Sequence, residues 1–163
     1  MLHYYLDTEF YEDGKTIDLI SIGIVCSDGR EYYRASRDAD YDRILRESPW
    51  LVANVLSHLP PAGSSLWASR ATIASELFDF VVGDPKPHFW GYYADYDWVV
   101  LCQLFGTMMG LPKHFPKFCM DLKQLSVSLG SPRHPKQEGT EHNALEDARW
   151  NRDLHAFLLR EGG

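Results

Sequence analysis

Two short glycine turns divide the first third of the chain into three strand-like segments. The segments, each rich in aromatic or β-branched residues, are HYYLDTEF (3–10), IDLISIGIV (17–25) and EYYRA (31–35). Such residues favour strands, and the turns between them contain Asp13 with Gly14 and Asp28 with Gly29, pairs typical of tight turns. Since connections this short join antiparallel neighbours, the stretch predicts a three-stranded meander.

The remainder of the chain changes to alternating helices and strands. Capping residues, apolar spacing and proline or glycine boundaries predict a helix starting at Pro49 after Ser48, helices over 68–82, 95–106, 122–130 and 143–160, and strands over 87–94 and 117–122. A polar loop, 131–141, precedes the last helix. This order predicts an α/β fold, a mixed β-sheet flanked by α-helices, in a single domain spanning 1–163.

Composition excludes several classes of protein. The 163 residues include no apolar run long enough to span a bilayer, and the N-terminus lacks the basic and apolar regions of a signal peptide. Cys26, Cys102 and Cys119 are odd in number and lie in apolar stretches, which indicates reduced thiols in a cytoplasmic protein. The net charge of −7 argues against broad binding to duplex nucleic acid, but it permits an enzyme that holds phosphate through metal ions and a few local cations.

Two carboxylates interrupt the first strand-like segment. Asp7 and Glu9 stand two residues apart in LDTEF (6–10). Residues i and i+2 of a strand point to the same face, so the two side chains project side by side. Like charges held this close repel each other, and burying them costs free energy unless a cation lies between them. A divalent metal ion would be such a cation.

A second acidic pair lies where the fourth predicted strand meets a helix. Asp95 and Asp97 occupy DYDW (95–98), and Asp favours N-caps and first helical turns. Asp95 suits the N-cap, which would leave Asp97 in the first turn with its carboxylate free to point elsewhere. Capping is a sufficient explanation for either residue taken alone.

The terminal helix places one more carboxylate on its core-facing side. Asn143, with Glu146 three residues later, predicts a capped start, so the helix begins at about Ala144. Asp147 shares its stripe with the residues at helical spacing Trp150, Asn151, Leu154, Phe157 and Leu158. A lone Asp in such a stripe needs an arginine, a cap or a metal ion. His142 is predicted to lie in the preceding loop, because five residues along a helix would place it on a different face from Asp147.

Each of these features has a plain structural explanation. The carboxylates of the first strand could pair with arginine or lysine, Asp97 could cap its helix, and Asp147 could anchor a salt bridge. His142 could be an ordinary polar loop residue. The order of the features is more informative, since D-x-E on the first strand precedes an Asp at a mid-chain helix and H-x-x-x-x-D at the last helix.

In this order, DTEF (7–10), YADYD (93–97) and HNALED (142–147) resemble the three motifs of the DEDDh 3′–5′ exonucleases, a superfamily with a ribonuclease H-like fold. The resemblance covers nearly the whole chain and is closer still to the bacterial polyadenylate-specific exoribonuclease AS (RNase AS) family. The stretches that resemble this family are YLDTEFYEDGKTIDLISIGIVCSDGREYY (5–33), LPPAGSSLWASR (59–70), YDWVVLCQLFG (96–106) and EDARWN (146–151). Many superfamily members have Asn four residues before the second-motif Asp, where this chain has Tyr93.

The resemblance implies a two-metal site. Asp7, Glu9 and Asp147 would hold the first Mg²⁺ or Mn²⁺ ion, and Asp7 would bridge to a second ion reached by Asp97. Oxygen-only ligands suit these hard cations and disfavour zinc. His142 would act as general base on the attacking water.

Other residues of the motifs are implied to bind the substrate. The backbone of Thr8 and the ring of Phe10 would lie beside the terminal nucleotide, where a base could stack. Arg133, His134 and Lys136 are candidates for phosphate contacts, although a solvated loop is the simpler explanation for any one of them.

The sequence therefore predicts a metal-dependent 3′–5′ exoribonuclease that acts on single-stranded RNA ends, adenine-rich by resemblance, and releases nucleoside 5′-monophosphates. One alternative is a single-stranded DNA exonuclease or an oligoribonuclease on the same fold, because selectivity depends on pocket details such as 2′-OH contacts. Another is a non-catalytic nucleic-acid-binding module, against which the full set of four carboxylates and a histidine argues. RNase AS-like proteins are dimers, so the resemblance also implies a homodimer.

Overall fold

The sheet is built around its longest strands, which come from the start of the chain. The computed structural model describes residues 1–162, and its strands are β1 (His3–Glu12), β2 (Ile17–Cys26), β3 (Glu31–Ser36), β4 (Trp67–Ala68), β5 (His88–Gly91) and β6 (Met120–Asp121). They form one sheet in the order β4-β3-β2-β1-β5-β6. The first three strands pair antiparallel as the meander predicts, while β4, β5 and β6 pair parallel with β3, β1 and β5. The predicted mixed sheet is confirmed.

Helices cover both faces of this sheet. They are α1 (Tyr41–Glu47), α2 (Pro49–Asn54), α3 (Arg70–Val81), α4 (Asp95–Leu104), α5 (Leu122–Ser128) and α6 (Ala144–Glu161). On one face, Leu6 of β1 packs in a core with Leu77 of α3 and Leu101 of α4. On the other face, Tyr5 packs in a core with Leu154 of α6. Because successive strand residues alternate between the two faces, β1 is buried on both sides.

Several elements differ from their predicted bounds. Helix α1 was not predicted, because it is short and buries only Ile44. Strand β4 was also missed, and it occupies the start of the helix predicted over 68–82, which begins at Arg70 after its cap Ser69. The helix predicted from Pro49 ends early and gives way to a 3-10 turn. Strands β5 and β6 are shorter than predicted, since each pairs over only a few residues.

Two further expectations from composition concern the cysteines and the possibility of membrane-spanning helices. Cys26 and Cys102 are buried free thiols, and Cys119 is a half-buried one. Over residues 1–162, none of the helices combines the length and the hydrophobicity needed to cross a bilayer.

The parallel pairing of β1 with β5 decides where the acidic residues meet. Tyr5 is paired with Trp90, so β5 ends at Gly91 beside Leu6 of β1. The chain then turns into α4 at the point where β1 reaches Asp7. The first turn of α4 is therefore brought against the carboxyl half of β1.

Candidate active site

Strand β1 presents two carboxylates toward the face that α6 covers. Asp7 and Glu9 lie two residues apart and are half-buried, with Thr8 buried between them. The pairing of β1 with β2 shifts register between Glu9 and Phe10. Such bulges re-aim side chains next to functional sites.

Helix α6 brings the third carboxylate to the same point. The side chain of Asn143 caps the helix by accepting hydrogen bonds from the backbone N–H groups of Leu145 and Glu146 at 3.2 and 3.3 Å, so the predicted start is confirmed. One turn beyond Asp147, the amide of Asn151 donates to the carbonyl of Leu6 at 3.0 Å. This buried bond fixes α6 against β1 beside Asp7, and hence fixes the spacing between the carboxylates.

A close approach of backbones also helps to place α6. Gly23 of β2 is paired with Asp7, and a Cβ atom at Gly23 would overlap the backbone carbonyl of Ala144. Glycine at this position lets the N-terminus of α6 lie directly on the sheet. Asp147, one turn further along, is held near Asp7 as a result.

Asp7, Glu9 and Asp147 each offer a carboxylate oxygen within 4.8 Å of the others. Burial, and then the charges of Asp97, Asp147 and Glu9, raise the pKa of Asp7 well above its usual range. Burial, and then the charges of Asp147 and Asp97, raise the pKa of Glu9 to about 8. Across residues 1–162, no arginine, lysine or histidine forms an ion pair with these carboxylates.

Asp97 lies beside this group but outside it. It occupies the first turn of α4, is 6% exposed, and accepts hydrogen bonds from the backbone N–H and the hydroxyl of Thr8 at 2.8 and 2.6 Å. Burial raises the pKa of Asp97 to about 6, and the bonds from Thr8 oppose that rise. Asp97 is thus tied to β1 between the two carboxylates of D-x-E, although it is not one of the three that converge within 4.8 Å.

The predicted N-cap of α4 is wrong. The cap position is Ala94, and Asp95 lies in the first turn together with Asp97. Within residues 1–162, no side-chain cap bonds the first turn of α4, and the backbone N–H of Ala94 itself donates to the carboxylate of Asp121 at 2.8 Å. Because β6 pairs with β5, a residue distant in sequence supplies this acceptor, and local spacing could not reveal it.

His142 lies in the loop before α6, as predicted. Its backbone has a φ of 62°, in the left-handed region that non-glycine residues seldom adopt. Its side chain lines a cavity of about 260 Å³ together with Asp7, Asp147 and Gln137. The structure therefore brings the histidine and two of the carboxylates to one concave site.

The other residues predicted to contact the substrate lie in different parts of the structure. The ring of Phe10 stacks on that of Tyr96, with centroids 5.6 Å apart and planes 13° from parallel. His134 is hydrogen bonded to the hydroxyl of Ser126 at 2.7 Å, so its ring is already engaged. Lys136 lines a separate polar cavity on the outer side of α6.

Three residues that place the site were not predicted to do so. Gln137 donates to the carboxylate of Asp147 at 2.5 Å, while Asn151 and Gly23 fix α6 on the sheet. Asn151 had a visible signal, an amide on the core-facing stripe of α6. A glycine inside a strand is also a recognised sign of close backbone approach. Gln137 had no signal, because it lies in an irregular loop.

The chemistry of this arrangement follows from its donors. The three convergent carboxylates offer only oxygen ligands and repel each other in the absence of a cation, a combination that suits a hard divalent ion. A histidine in the same cavity can accept a proton. With a divalent cation bound, such an arrangement would polarise an anionic group beside a residue able to take up a proton.

Comparisons with known proteins identify the family of the chain. The profile of the Rv2179c-like 3′-5′ exoribonuclease domain matches residues 2–159. The chain is 45% identical over 150 residues to the 3′-5′ exoribonucleases Rv2179c and MT2234.1 of two Mycobacterium tuberculosis strains, a match that spans 91% of this chain and 88% of each relative.

Solved structures show the same fold at low identity. The nuclease domain of 3′hExo, a DEDDh family member bound to rAMP, superposes with a TM-score of 0.56 at 12% identity, over 99% of this chain and 92% of that one. A chain from the complex of the yeast NOT1 MIF4G domain with CAF1 gives a TM-score of 0.51 at 13% identity, over 96% of this chain and 80% of that one. The predicted ribonuclease H-like fold is confirmed. By the match over residues 2–159, the chain belongs to the family of Rv2179c-like 3′-5′ exoribonuclease domains and is a 3′–5′ exonuclease.

Proposed function

We propose that this protein is a metal-dependent exoribonuclease that removes nucleoside 5′-monophosphates from single-stranded 3′ ends of RNA, with a preference for adenine-rich ends. The observation that supports it most strongly is the convergence of Asp7, Glu9 and Asp147 within 4.8 Å. This arrangement occurs in a chain that belongs to an exoribonuclease family. The preference for adenine rests on the resemblance of the motifs to RNase AS.

The carboxylates would hold two Mg²⁺ or Mn²⁺ ions. Asp7, Glu9 and Asp147 would ligate one ion, with Asp7 also facing the second ion on the side of Asp97. When bound, such ions neutralise the phosphate and make an attacking water more acidic. The hydrogen bonds from Thr8 orient the carboxylate of Asp97 for this role, and they leave its second oxygen available.

His142 would accept the proton of the attacking water. It shares the cavity with Asp7 and Asp147, and histidine is the side chain most often used for proton transfer in catalysis. As the water oxygen bonds to phosphorus, the bond from phosphorus to the 3′-oxygen of the preceding nucleotide breaks, and that oxygen takes up a proton to become the new 3′-hydroxyl. The carboxylates would hold the phosphate only through the cations they bind, since like charges repel.

The terminal base would extend the aromatic stack beside the carboxylates. Phe10 follows Glu9 directly and already stacks on Tyr96, which precedes Asp97. A base placed on this pair would lie close to Thr8. Stacking on aromatic rings is tolerant of base identity, so this contact would supply affinity without selecting adenine.

A time course on 5′-labelled poly(A), poly(U), poly(C) and their DNA counterparts tests the substrate. We expect a one-nucleotide ladder on poly(A) that is absent in EDTA. Overhangs should be degraded up to a duplex and no further, because unpairing a terminal base costs a few kcal/mol. Equal or faster digestion of DNA would favour the DNA exonuclease, and no cleavage with either metal would favour the non-catalytic binding module.

We further propose that the protein works as a homodimer in the cytoplasm, with residues 1–163 as one exonuclease domain. Support for the dimer is the motif resemblance alone. Light scattering coupled to size-exclusion chromatography tests it, and a mass near the 18.7 kDa of the single chain would contradict it.

A further inference from the structure

Trp50 is a large aromatic residue on the outside of a short helix. Helix α2 has no fully buried residue, and it packs through Leu51 and the following Val55 against the cluster around Ile44. Trp50 is 54% exposed and belongs to none of the three hydrophobic clusters of the described chain. Packing of α2 therefore does not account for this indole.

The indole of Trp50 instead meets the ring of His142. The ring centroids are 4.9 Å apart and the planes cross at 76°, which is the edge-to-face arrangement that aromatic pairs favour. The two residues lie 92 positions apart (142 minus 50), on different elements of the fold. The contact therefore joins α2 to the loop in front of α6.

The loop before α6 is anchored mainly through residues 134–137. His134 bonds to the hydroxyl of Ser126, and the indole N–H of Trp150 donates to the carbonyl of Pro135 at 3.1 Å. Further along, Gln137 donates to Asp147. All of these anchors come from α5 and α6, so they fix the loop on one side of the cavity.

His142 sits at the far end of the loop, in a backbone conformation that needs support. A left-handed φ of 62° is unfavourable for a residue with a side chain. The ring contact with Trp50 is an interaction from outside α5 and α6 that would hold this conformation. Aromatic pairs of this geometry attract each other, so the contact favours this conformation of His142.

From this contact we infer that Trp50 is a positioning residue for the reaction, acting through His142. The inference rests on the proposed function, in which His142 receives the proton of the attacking water. Trp50 holds the imidazole over the cavity before substrate arrives. Without the indole, the end of the loop samples open conformations, and fewer encounters place the histidine within reach of the water.

The test compares Trp50→Ala and Trp50→Phe with the wild type on poly(A). We expect Trp50→Ala to lower kcat by roughly 2- to 10-fold, the loss of one aromatic ring contact, with a much smaller change in KM. Trp50→Phe should recover most of this loss, since it keeps an aromatic face. Leu45→Ala, an exposed apolar residue on the neighbouring α1, is the control and should leave kcat unchanged.

A double-mutant cycle separates positioning from direct binding. In a His142→Ala background, Trp50→Ala should cause little further loss, because the residue it positions is gone. An equal loss in both backgrounds, expressed in KM, would mean that Trp50 stacks on the substrate itself and would overturn the inference. The inference would also be overturned if the wild type were active and Trp50→Ala had the same kcat and KM.

A measurement without substrate keeps the inference separate from the proposed function. In NMR spectra the imidazole resonances of His142, assigned with His142→Ala, should move in Trp50→Ala and stay in place in Leu45→Ala. If they do not move, the ring contact is absent in solution and the inference fails. If they move while His142→Ala keeps full activity, the proposed base is wrong, and Trp50 then positions no catalytic group.

Discussion

Both ends of β1 bury ionisable side chains, but the interactions of these side chains differ between the two ends. At the carboxyl half, Asp7 and Glu9 converge with Asp147 and repel one another. At the amino end, His3 and Tyr5 join a cluster of rings in which the polar atoms find hydrogen-bond partners.

The amino-end cluster is complete within the chain. The hydroxyl of Tyr5 is hydrogen bonded to Nδ1 of His155 at 3.0 Å, and the indole N–H of Trp90 donates to Nδ1 of His3 at 2.9 Å. His155 is only 3% exposed and its ring lies 4.0 Å from that of Trp90. Because Nδ1 of His3 accepts a bond, this cluster requires a neutral His3.

The difference shows which end is built for function. Neutral, hydrogen-bonded rings at the amino end stabilise the fold by themselves. Carboxylates that raise each other's pKa destabilise the metal-free protein. They are tolerated where a cation neutralises them. Under the proposed function, similar burial at the two ends of one strand has a structural meaning at one end and a functional meaning at the other.

The strongest test of this contrast is a matched pair of substitutions. Asp7→Asn should abolish most activity and most of the rise in melting temperature that Mg²⁺ or Mn²⁺ produces by mass action, because a shared ligand is lost. Tyr5→Phe should keep both and lower the free energy of unfolding by about 1 kcal/mol for its hydrogen bond. Similar behaviour of the two variants in metal-dependent melts and RNA assays would remove the distinction between the ends.

The next largest effect is expected at His142, the proposed general base. His142→Ala should lower the rate on the order of 10²- to 10⁴-fold and keep most of the metal-induced stabilisation, since the imidazole is not a ligand. His58→Ala, an exposed histidine, is the control. Loss of metal binding in His142→Ala, with chemistry retained at saturating metal, would reverse the roles assigned here.

A smaller effect should follow from moving α6 without touching a ligand. In Gly23→Ala the added methyl group would push Ala144 away from the sheet and shift Asp147, so we expect a loss of activity of roughly 10- to 100-fold. Gly14→Ala strains a turn with a φ of 82° and should lower stability while keeping activity. If each variant lost activity only in proportion to its loss of stability, the spacing set by Gly23 would be unimportant.

The smallest effect is on the pH dependence of stability, where the two ends should act in opposite directions. Burial, and then the charge of His3, lower the pKa of His155 to about 4 from an ordinary 6.5, so its contribution is complete above 6.5 and is lost as the pH falls toward 4. The raised pKa of Glu9, about 8 against 4.5, gives a contribution that is complete below 4.5 and is lost as the pH rises through 8.

Thermal melts across this pH range check both contributions. The metal-free protein should be most stable between the two limbs. Adding Mg²⁺ should flatten the alkaline limb alone, because only the carboxylates bind the ion. An alkaline limb that is insensitive to metal would contradict the assignment of Glu9.

The sequence predicted those parts of the molecule that local patterns determine. The meander, the start of α6 at its Asn143 cap, and the stripe containing Asp147 are confirmed, because turn residues, caps and helical spacing act over a few residues. The convergence of Asp7 with Asp147 depends on tertiary structure, and residue spacing alone did not predict it. The motif resemblance led to it.

What the sequence missed depends on contacts between distant segments. Asp121 accepts the hydrogen bond from the backbone N–H of Ala94 at the start of α4 because β6 pairs with β5. Trp50 reaches His142, and Gln137 reaches Asp147, from segments whose local patterns say nothing of the site. Helix α1 and strand β4 are too short to produce a periodic signal.

Titration calorimetry of the metal-free protein with Mn²⁺ tests most directly whether the acidic half of β1 is an incomplete cation site. We predict saturable binding near neutral pH with release of protons, measured in buffers of different ionisation enthalpy, because Glu9 has a pKa of about 8 before the ion binds. Binding should be retained in Tyr5→Phe and lost in Asp7→Asn. Absence of saturable binding to the wild type, or equal binding to Asp7→Asn, would contradict the account.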